Sequence, residues 1–313
     1  MNELVTLAIH IGKKENYSMM ENLLKSILIC NTYSELEIIL IDSSGDNKIR
    51  DWFSKIDFDS NFINFDFSKT NIAKNKKVNI RKEIFFFNEN HIYNKRSYTR
   101  CFNKAITIAK GKYFVYLTED MQFIVRGDMI SDYIGVLKTM GENKTIINLC
   151  TQQEYKYSKH NNRFGKPILL NKNNFIIFKP EEKKGDFFSF SSKEVHNCVG
   201  TLPEDSDEAP LAVLTEYKKK CEELNIQRYY PGIFIGAWFF NKHHNFLNNK
   251  IKIETSKNPN FLLLKPLTKN ELLNKFQKVL KERPISTEDL MMLNNWYFKI
   301  SPINYLKKLL IAS

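Results

Sequence analysis

The sequence predicts an α/β fold: a mixed, mainly parallel sheet with flanking helices over residues 1–245, followed by a C-terminal helical tail. Three observations predict it. Strand, helix and strand follow one another between residues 4 and 42, and such a βαβ unit joins parallel strands by a right-handed crossover. A second amphipathic helix then leads into an apolar strand that ends on Glu119-Asp120. Hydrophobic residues make up 42% of 313 positions, enough to bury a large core, which excludes wholesale disorder.

Residues 4–11 are almost continuously apolar and β-branched, as a strand buried on both faces must be. Gly12-Lys13-Lys14-Glu15 breaks the strand. Ser18-Met19-Met20-Glu21 has the form of a capping box, and Met19, Met20, Leu23, Leu24, Ile27 and Leu28 recur at helical spacing. Residues 36–41 form the second buried strand, closed by the turn Asp42-Ser43-Ser44-Gly45-Asp46. Residues 62–67 and 84–87 are further strand candidates. Between Asp66 and Glu83 lies a lysine-rich stretch without an acid, either a solvated loop or a contact for a phosphate or anionic acceptor.

Tyr98, Cys101, Phe102, Ala105, Ile106 and Ala109 make the apolar stripe of the next helix, with Gly111 as its C-cap. Residues 113–117 are the strand that enters Thr118-Glu119-Asp120. Two carboxylates at the carboxyl end of a buried strand stand where open α/β sheets hold their ligands. Farther on, residues 129–140 and 211–224 are helical, 145–150 form a strand, and 155–184 are polar and irregular. An apolar run covers 229–240. From Ile251 onward the pattern gives a short strand and amphipathic helices at 270–281, 287–298 and 303–311.

Lys and Arg outnumber Asp and Glu by 47 to 35, a formal net charge of +12. That excess favours phosphate-bearing partners or an anionic membrane surface. An AT-rich genome, with its many Lys and Asn codons, produces the same excess with no partner. Nucleic acid is not expected, because the Phe-rich strands have the pattern of core and not of an exposed stacking surface. The five cysteines, Cys30, Cys101, Cys150, Cys198 and Cys221, contain no CxxC, so neither a zinc ribbon nor a disulfide framework is expected. The longest nearly apolar stretch falls well short of the roughly 20 residues that span a bilayer. A cytoplasmic protein is expected, with the tail either packed on its own domain or in peripheral contact with the inner face of a membrane.

The opening strand, the Leu- and Ser-rich helix and then ELEIILIDSSGD (35–46) resemble the start of family-2-type glycosyltransferases with the Rossmann-related GT-A fold. SYTRCFNKAITIAKGKYFVYLTED (97–120) is similar to that family's Asn-containing helix and the strand entering its carboxylate motif. The resemblance implies a nucleotide-sugar-binding half in residues 1–120, an acceptor-binding half in 121–245 and a helical extension in 246–313. It also implies transfer from a nucleotide-diphosphate sugar to a hydroxyl of a glycan or lipid-linked acceptor. Mn²⁺ or Mg²⁺ would neutralise the departing diphosphate.

By that resemblance Asp42 takes the nucleoside, with His10 lining the same pocket. Arg96 and Arg100 meet the base or diphosphate, and Asn103 borders the nucleotide. Glu119 touches the ribose or a metal-bound water, and Asp120 holds the metal. The family's usual Asp-x-Asp is Thr118-Glu119-Asp120 here, so His244 of the His243-His244 pair is a candidate further ligand. Asp207 or Glu208, just ahead of a helix, is the candidate base for the attacking hydroxyl. Each has a plainer reading as well: a turn aspartate, a structural histidine, surface arginines, or acids favoured electrostatically at a helix N-terminus. The competing functions are a nucleotide-binding protein of this fold without catalysis and a basic nucleic-acid-binding or scaffold protein.

Overall fold

The computed structural model describes residues 3–12, 16–43, 51, 79–86, 95–152, 167–170, 175–179, 189–203, 210–231, 233, 235–239, 244–258 and 260–272. In chain order the first elements are β1 (Val5–Ile11), α1 (Tyr17–Cys30), β2 (Glu35–Asp42), β3 (Asn79–Phe86), α2 (Lys95–Ile108) and β4 (Tyr113–Thr118). Then come β5 (Met121–Phe123), β6 (Val125–Arg126), α3 (Met129–Met140), β7 (Thr145–Asn148), β8 (Cys150–Gln152), β9 (Pro167–Leu170) and β10 (Phe175–Phe178). The last are β11 (Ser189–Ser192), α4 (Lys193–Val199), α5 (Pro210–Glu223), β12 (Gln227–Pro231), β13 (Gly236–Trp238), α6 (His244–Lys257) and β14 (Leu267–Thr268).

Nine strands form the main sheet in the order β3-β2-β1-β4-β11-β7-β12-β10-β9. Seven run one way; β11 and β10 run against them. Alternation along the strands explains the helices on both faces. Leu7, Ile9, Leu36, Ile38, Leu40, Val115 and Leu117 join α1 and α3 in one core, while Ala8, Ile39, Ile41, Phe114 and Tyr116 join α2, α4 and α5 in another. Two small sheets, β5-β13-β8 and β14-β6, complete the fold.

The structure divides two apolar runs whose pattern is that of a single element. Residues 145–152 change sheets at Leu149, giving β7 and then β8. Residues 227–238 do the same as β12 and β13, and the two halves stay partnered, β12 on β7 and β13 on β8. A buried run has no periodicity to mark the crossing. The stretch 155–184, expected to be irregular, contributes β9 and β10 at the sheet's edge, where polar flanks are common. Ile251 lies in α6, not in a strand: its side chain is buried, and the alternation with exposed Ile253 is that of a helix surface. The candidate strand at 62–67 and the tail beyond Leu272 lie outside the described residues.

Two local expectations also give way. α1 begins at Tyr17, so Ser18 falls inside the first turn, and the N-cap residue, Asn16, makes no capping bond with its own side chain. Gly111 stands beyond the end of α2 and serves close approach instead of a cap. Its N–H donates to Thr6 Oγ1 at 2.9 Å, while Thr6 Oγ1 donates to Glu37 Oε2 at 2.5 Å. A Cβ at position 111 would lie 2.6 Å from both Thr6 N and Thr6 Oγ1. Gly111→Ala should therefore destabilise the protein by roughly 1–3 kcal/mol through forced backbone displacement. A urea midpoint that falls with an unchanged m-value would show this; an unchanged midpoint would refute the steric account.

Candidate functional site

β1, β2 and β4 end at one edge of the sheet. Ile11 pairs with Asp42, His10 pairs with Thr118, and the Glu119 N–H donates to His10 O at 3.2 Å. His10, Asp42 and the Thr118-Glu119-Asp120 turn therefore share the carboxyl edge of adjacent parallel strands. Asp42 is fully buried there. His10 Nε2 and Ser43 Oγ are 2.8 Å apart, and burial lowers the imidazole pKa to about 4, so this ring is neutral at physiological pH.

Asp120 is held by three side chains. Thr118 Oγ1 donates to its Oδ1. The Trp238 indole N–H donates to Oδ2 at 2.8 Å, and His244 Nε2 lies 3.2 Å from the same oxygen. β13 delivers Trp238 by pairing it with Met121 on β5, and the Phe239 N–H donates to Asp120 O at 2.8 Å. His244 opens α6, which packs Leu247 and Ile251 into a third core with Met19 and Phe239. Burial opposes charge on His244, but the Asp120 carboxylate beside it brings the net pKa above the ordinary histidine value.

Glu119 accepts from Asn16 Nδ2 at 2.8 Å. Burial, reinforced by the neighbouring Asp120 charge, pushes its pKa up to about 7 against the hydrogen bond from Asn16. Two acids side by side at 5% and 6% exposure make an edge that attracts cations. Among the described residues no three His, Cys, Asp or Glu side chains converge to hold a metal. Asp120 nevertheless suits an ion shared with phosphate, since such ions typically take one or two carboxylates and complete their shell from phosphate oxygens and water.

The other candidates divide. Arg100 is half-buried in the second turn of α2, and Arg96 belongs to the first turn, its side chain outside the described residues. Asn103 is bonded at both ends of its amide to main chain. Its Nδ2 donates to Leu202 O at 2.8 Å, and Leu202 N–H donates to its Oδ1 at 2.9 Å. Asp207 and Glu208 lie outside the described residues. The sequence alone does not single out Asn16, Trp238 or Asn248. Asn16 resembles any residue before a helix, and Trp238 any aromatic in an apolar run.

No protein family matches the sequence, and no curated protein does. Among solved structures the chain is similar to S. aureus TarS at 11% identity, covering 91% of this chain and 44% of that one, TM-score 0.47. TarS 1–349 in complex with UDP gives 10% identity, 87% and 69% coverage and a TM-score of 0.47. The mannosyltransferase PcManGT from Pyrobaculum calidifontis, in complex with GDP-Man and Mn²⁺, gives 11% identity, 96% and 70% coverage and a TM-score of 0.49. The chain thus spans less than half the length of the longer TarS chain. Likeness this distant decides neither substrate nor activity; those have to come from the side chains at the sheet edge.

Burial sets a pH dependence. The folded-state pKa of Glu119, about 7, lies above the ordinary 4.5, so its contribution to stability is greatest in acid and is lost as pH rises from about 4.5 to about 7. Glu119→Gln removes that loss. Its melting temperature relative to the parent should be a few degrees higher at pH 8 than at pH 5. An equal difference at both pH values would show that Glu119 titrates normally.

Proposed function

We propose that this chain is a glycosyltransferase that uses a nucleotide-diphosphate sugar. The observation that carries the reading is the buried Glu119-Asp120 pair at the carboxyl end of β4, in register beside His10 and Asp42. That is the position where a parallel sheet receives a nucleotide. The ELEIILIDSSGD and SYTRCFNKAITIAKGKYFVYLTED segments, whose resemblance is to glycosyltransferases, supply these same residues.

In this reading Asp42 accepts hydrogen bonds from the nucleoside, and His10, neutral and tied to Ser43, borders it. Glu119 reaches the ribose or a metal-bound water, and Arg96 and Arg100 are assigned to the base or diphosphate. Asp120 would hold Mn²⁺ or Mg²⁺ together with the donor's phosphates. When bound, that ion supplies positive charge against the charge developing on the diphosphate. Asp207 or Glu208 takes the proton of the acceptor hydroxyl as its oxygen bonds to the sugar carbon and the bond to diphosphate breaks. The acceptor is a hydroxyl of a glycan or lipid-linked molecule. Thr118, where the family has an acid, favours a second reading: nucleotide binding without transfer. Release of free nucleoside diphosphate in the presence of acceptor separates the two.

The direct test is thermal stability with UDP, GDP and their sugars, with and without Mn²⁺. A ligand at a hundredfold its Kd adds about 2.7 kcal/mol, a shift of several degrees. The parent protein should shift with one nucleotide and Mn²⁺, and Asp120→Ala should lose the metal-dependent part. If no nucleotide shifts the parent protein, the proposal fails.

A further inference from the structure

α1 is capped by the wrong helix. Asn16 occupies its N-cap position, where an Asn side chain ordinarily accepts a backbone N–H of the first turn, yet it makes no such bond. Asn248 of α6 supplies the acceptor instead, taking the Met19 N–H on its Oδ1 at 3.1 Å. Asn16 turns its amide across to the carboxyl edge. Its Nδ2 lies 2.8 Å from Glu119 Oε1 and 3.3 Å from His244 Nδ1, and its Oδ1 accepts from Asn248 Nδ2 at 3.2 Å. All four side chains are buried, so water does not compete for these bonds.

The direction of every bond in this chain follows from one group. A backbone N–H only donates, so the Met19 N–H fixes which end of the Asn248 amide is oxygen. Asn248 Nδ2 is then the donor to Asn16 Oδ1, and Asn16 Nδ2 is left to donate to both Glu119 and His244 Nδ1. Across the ring, Nε2 faces Asp120 Oδ2 at 3.2 Å and Phe239 O at 3.3 Å, two acceptors. The neutral imidazole accordingly carries its proton on Nε2. A histidine that binds a metal through Nε2 needs that proton on Nδ1, where it usually meets a carboxylate or carbonyl. Here Nδ1 meets a donor.

We propose that Asn16 is a positioning residue which, through one amide, steadies Glu119 and holds His244 in the Nε2–H form. His244 is thereby a hydrogen-bond donor to Asp120 and not a ligand of the cation. This takes His244 out of the metal set that the sequence resemblance implied. What the positioned groups accomplish rests on the glycosyltransferase reading; the positioning itself rests on the hydrogen bonds alone.

Side-chain ¹⁵N NMR of the full chain, free of nucleotide and at a mildly alkaline pH, tests it. His244 should show a protonated Nε2 and a bare Nδ1. In Asn16→Ser, whose short side chain cannot span to the ring, the population should shift toward the Nδ1–H form while the melting temperature changes by only a few degrees. A bare Nε2 in the parent protein overturns the proposal whether or not the variant folds, and so does an unchanged tautomer in a folded Asn16→Ser. Adding Mg²⁺ with UDP should leave the Nε2 proton in place; its disappearance would make His244 a ligand and overturn the assignment. If UDP and GDP fail to stabilise the parent protein, the transferase reading falls, whereas the tautomer is decided separately on the unliganded chain.

Discussion

Two adjacent carboxyl groups buried at the end of β4 set the terms for everything packed around them. An unpaired acid in a protein interior costs several kcal/mol, so donors must be brought to it. Thr118 comes from β4 itself, Trp238 from β13, His244 from the start of α6 and Asn16 from the entrance to α1. Four separate stretches of chain thus end at one turn. The small sheet β5-β13-β8 has its place for this reason: pairing Trp238 with Met121 puts the indole N–H on the carboxylate.

The position of α6 is controlled from both its ends. His244 and Asn248 bind its first turns to Asn16 and Met19, and the chain that follows is fastened over α1 and β5. Fully buried Gln122 exchanges two hydrogen bonds with the Leu264 main chain, and Asn22 accepts the Leu263 N–H at 3.0 Å. Beyond them Leu267 and Thr268 pair with β6, and Lys269 meets Asp132 at 2.6 Å. The described residues of 244–272 are consequently packed into the sheet-bearing fold, although by sequence they follow the sheet. Buried amides bonded to main chain tolerate little displacement, which is what an imidazole aimed at a carboxylate requires.

Local signals in the sequence are sufficient for the parallel half of the sheet. The apolar stripes of α1 and α2 repeat at helical spacing, while β1, β2 and β4 are continuous apolar runs closed by turn or acidic residues, so His10, Asp42, Glu119 and Asp120 can be placed at strand ends. What the sequence does not disclose is long-range. Asn16 and His244 are 228 residues apart, and no periodicity relates them. The same holds for Trp238 with Asp120 and for Asn103 with Leu202. Asn103 illustrates the limit well: a polar residue on the polar side of α2 has the pattern of a ligand contact, and only the fold reveals that Leu202 occupies both ends of its amide.

Acids are buried at both edges of the parallel strands, Glu37 near the amino edge and Glu119 and Asp120 at the carboxyl edge, and their donors differ in kind. Near the amino edge, Glu37 Oε2 accepts from the Thr6 hydroxyl and from the Lys110 main-chain N–H at 2.8 Å, and Gly111 closes over Thr6 with no room for a side chain. Such donors are fixed by main chain and by contact, so nothing from outside can replace them without unfolding that corner. At the carboxyl edge the donors to Glu119 and Asp120 are an amide, a hydroxyl, an indole and an imidazole. Side chains of this kind can exchange a protein acceptor for a ligand by small rotations, and in the absence of ligand they keep the acids from being stranded. Asn16 stands between these two cases. As the N-cap residue of α1 it would have been held by main chain, but Asn248 takes over that bond, and the amide so released is directed to the acids.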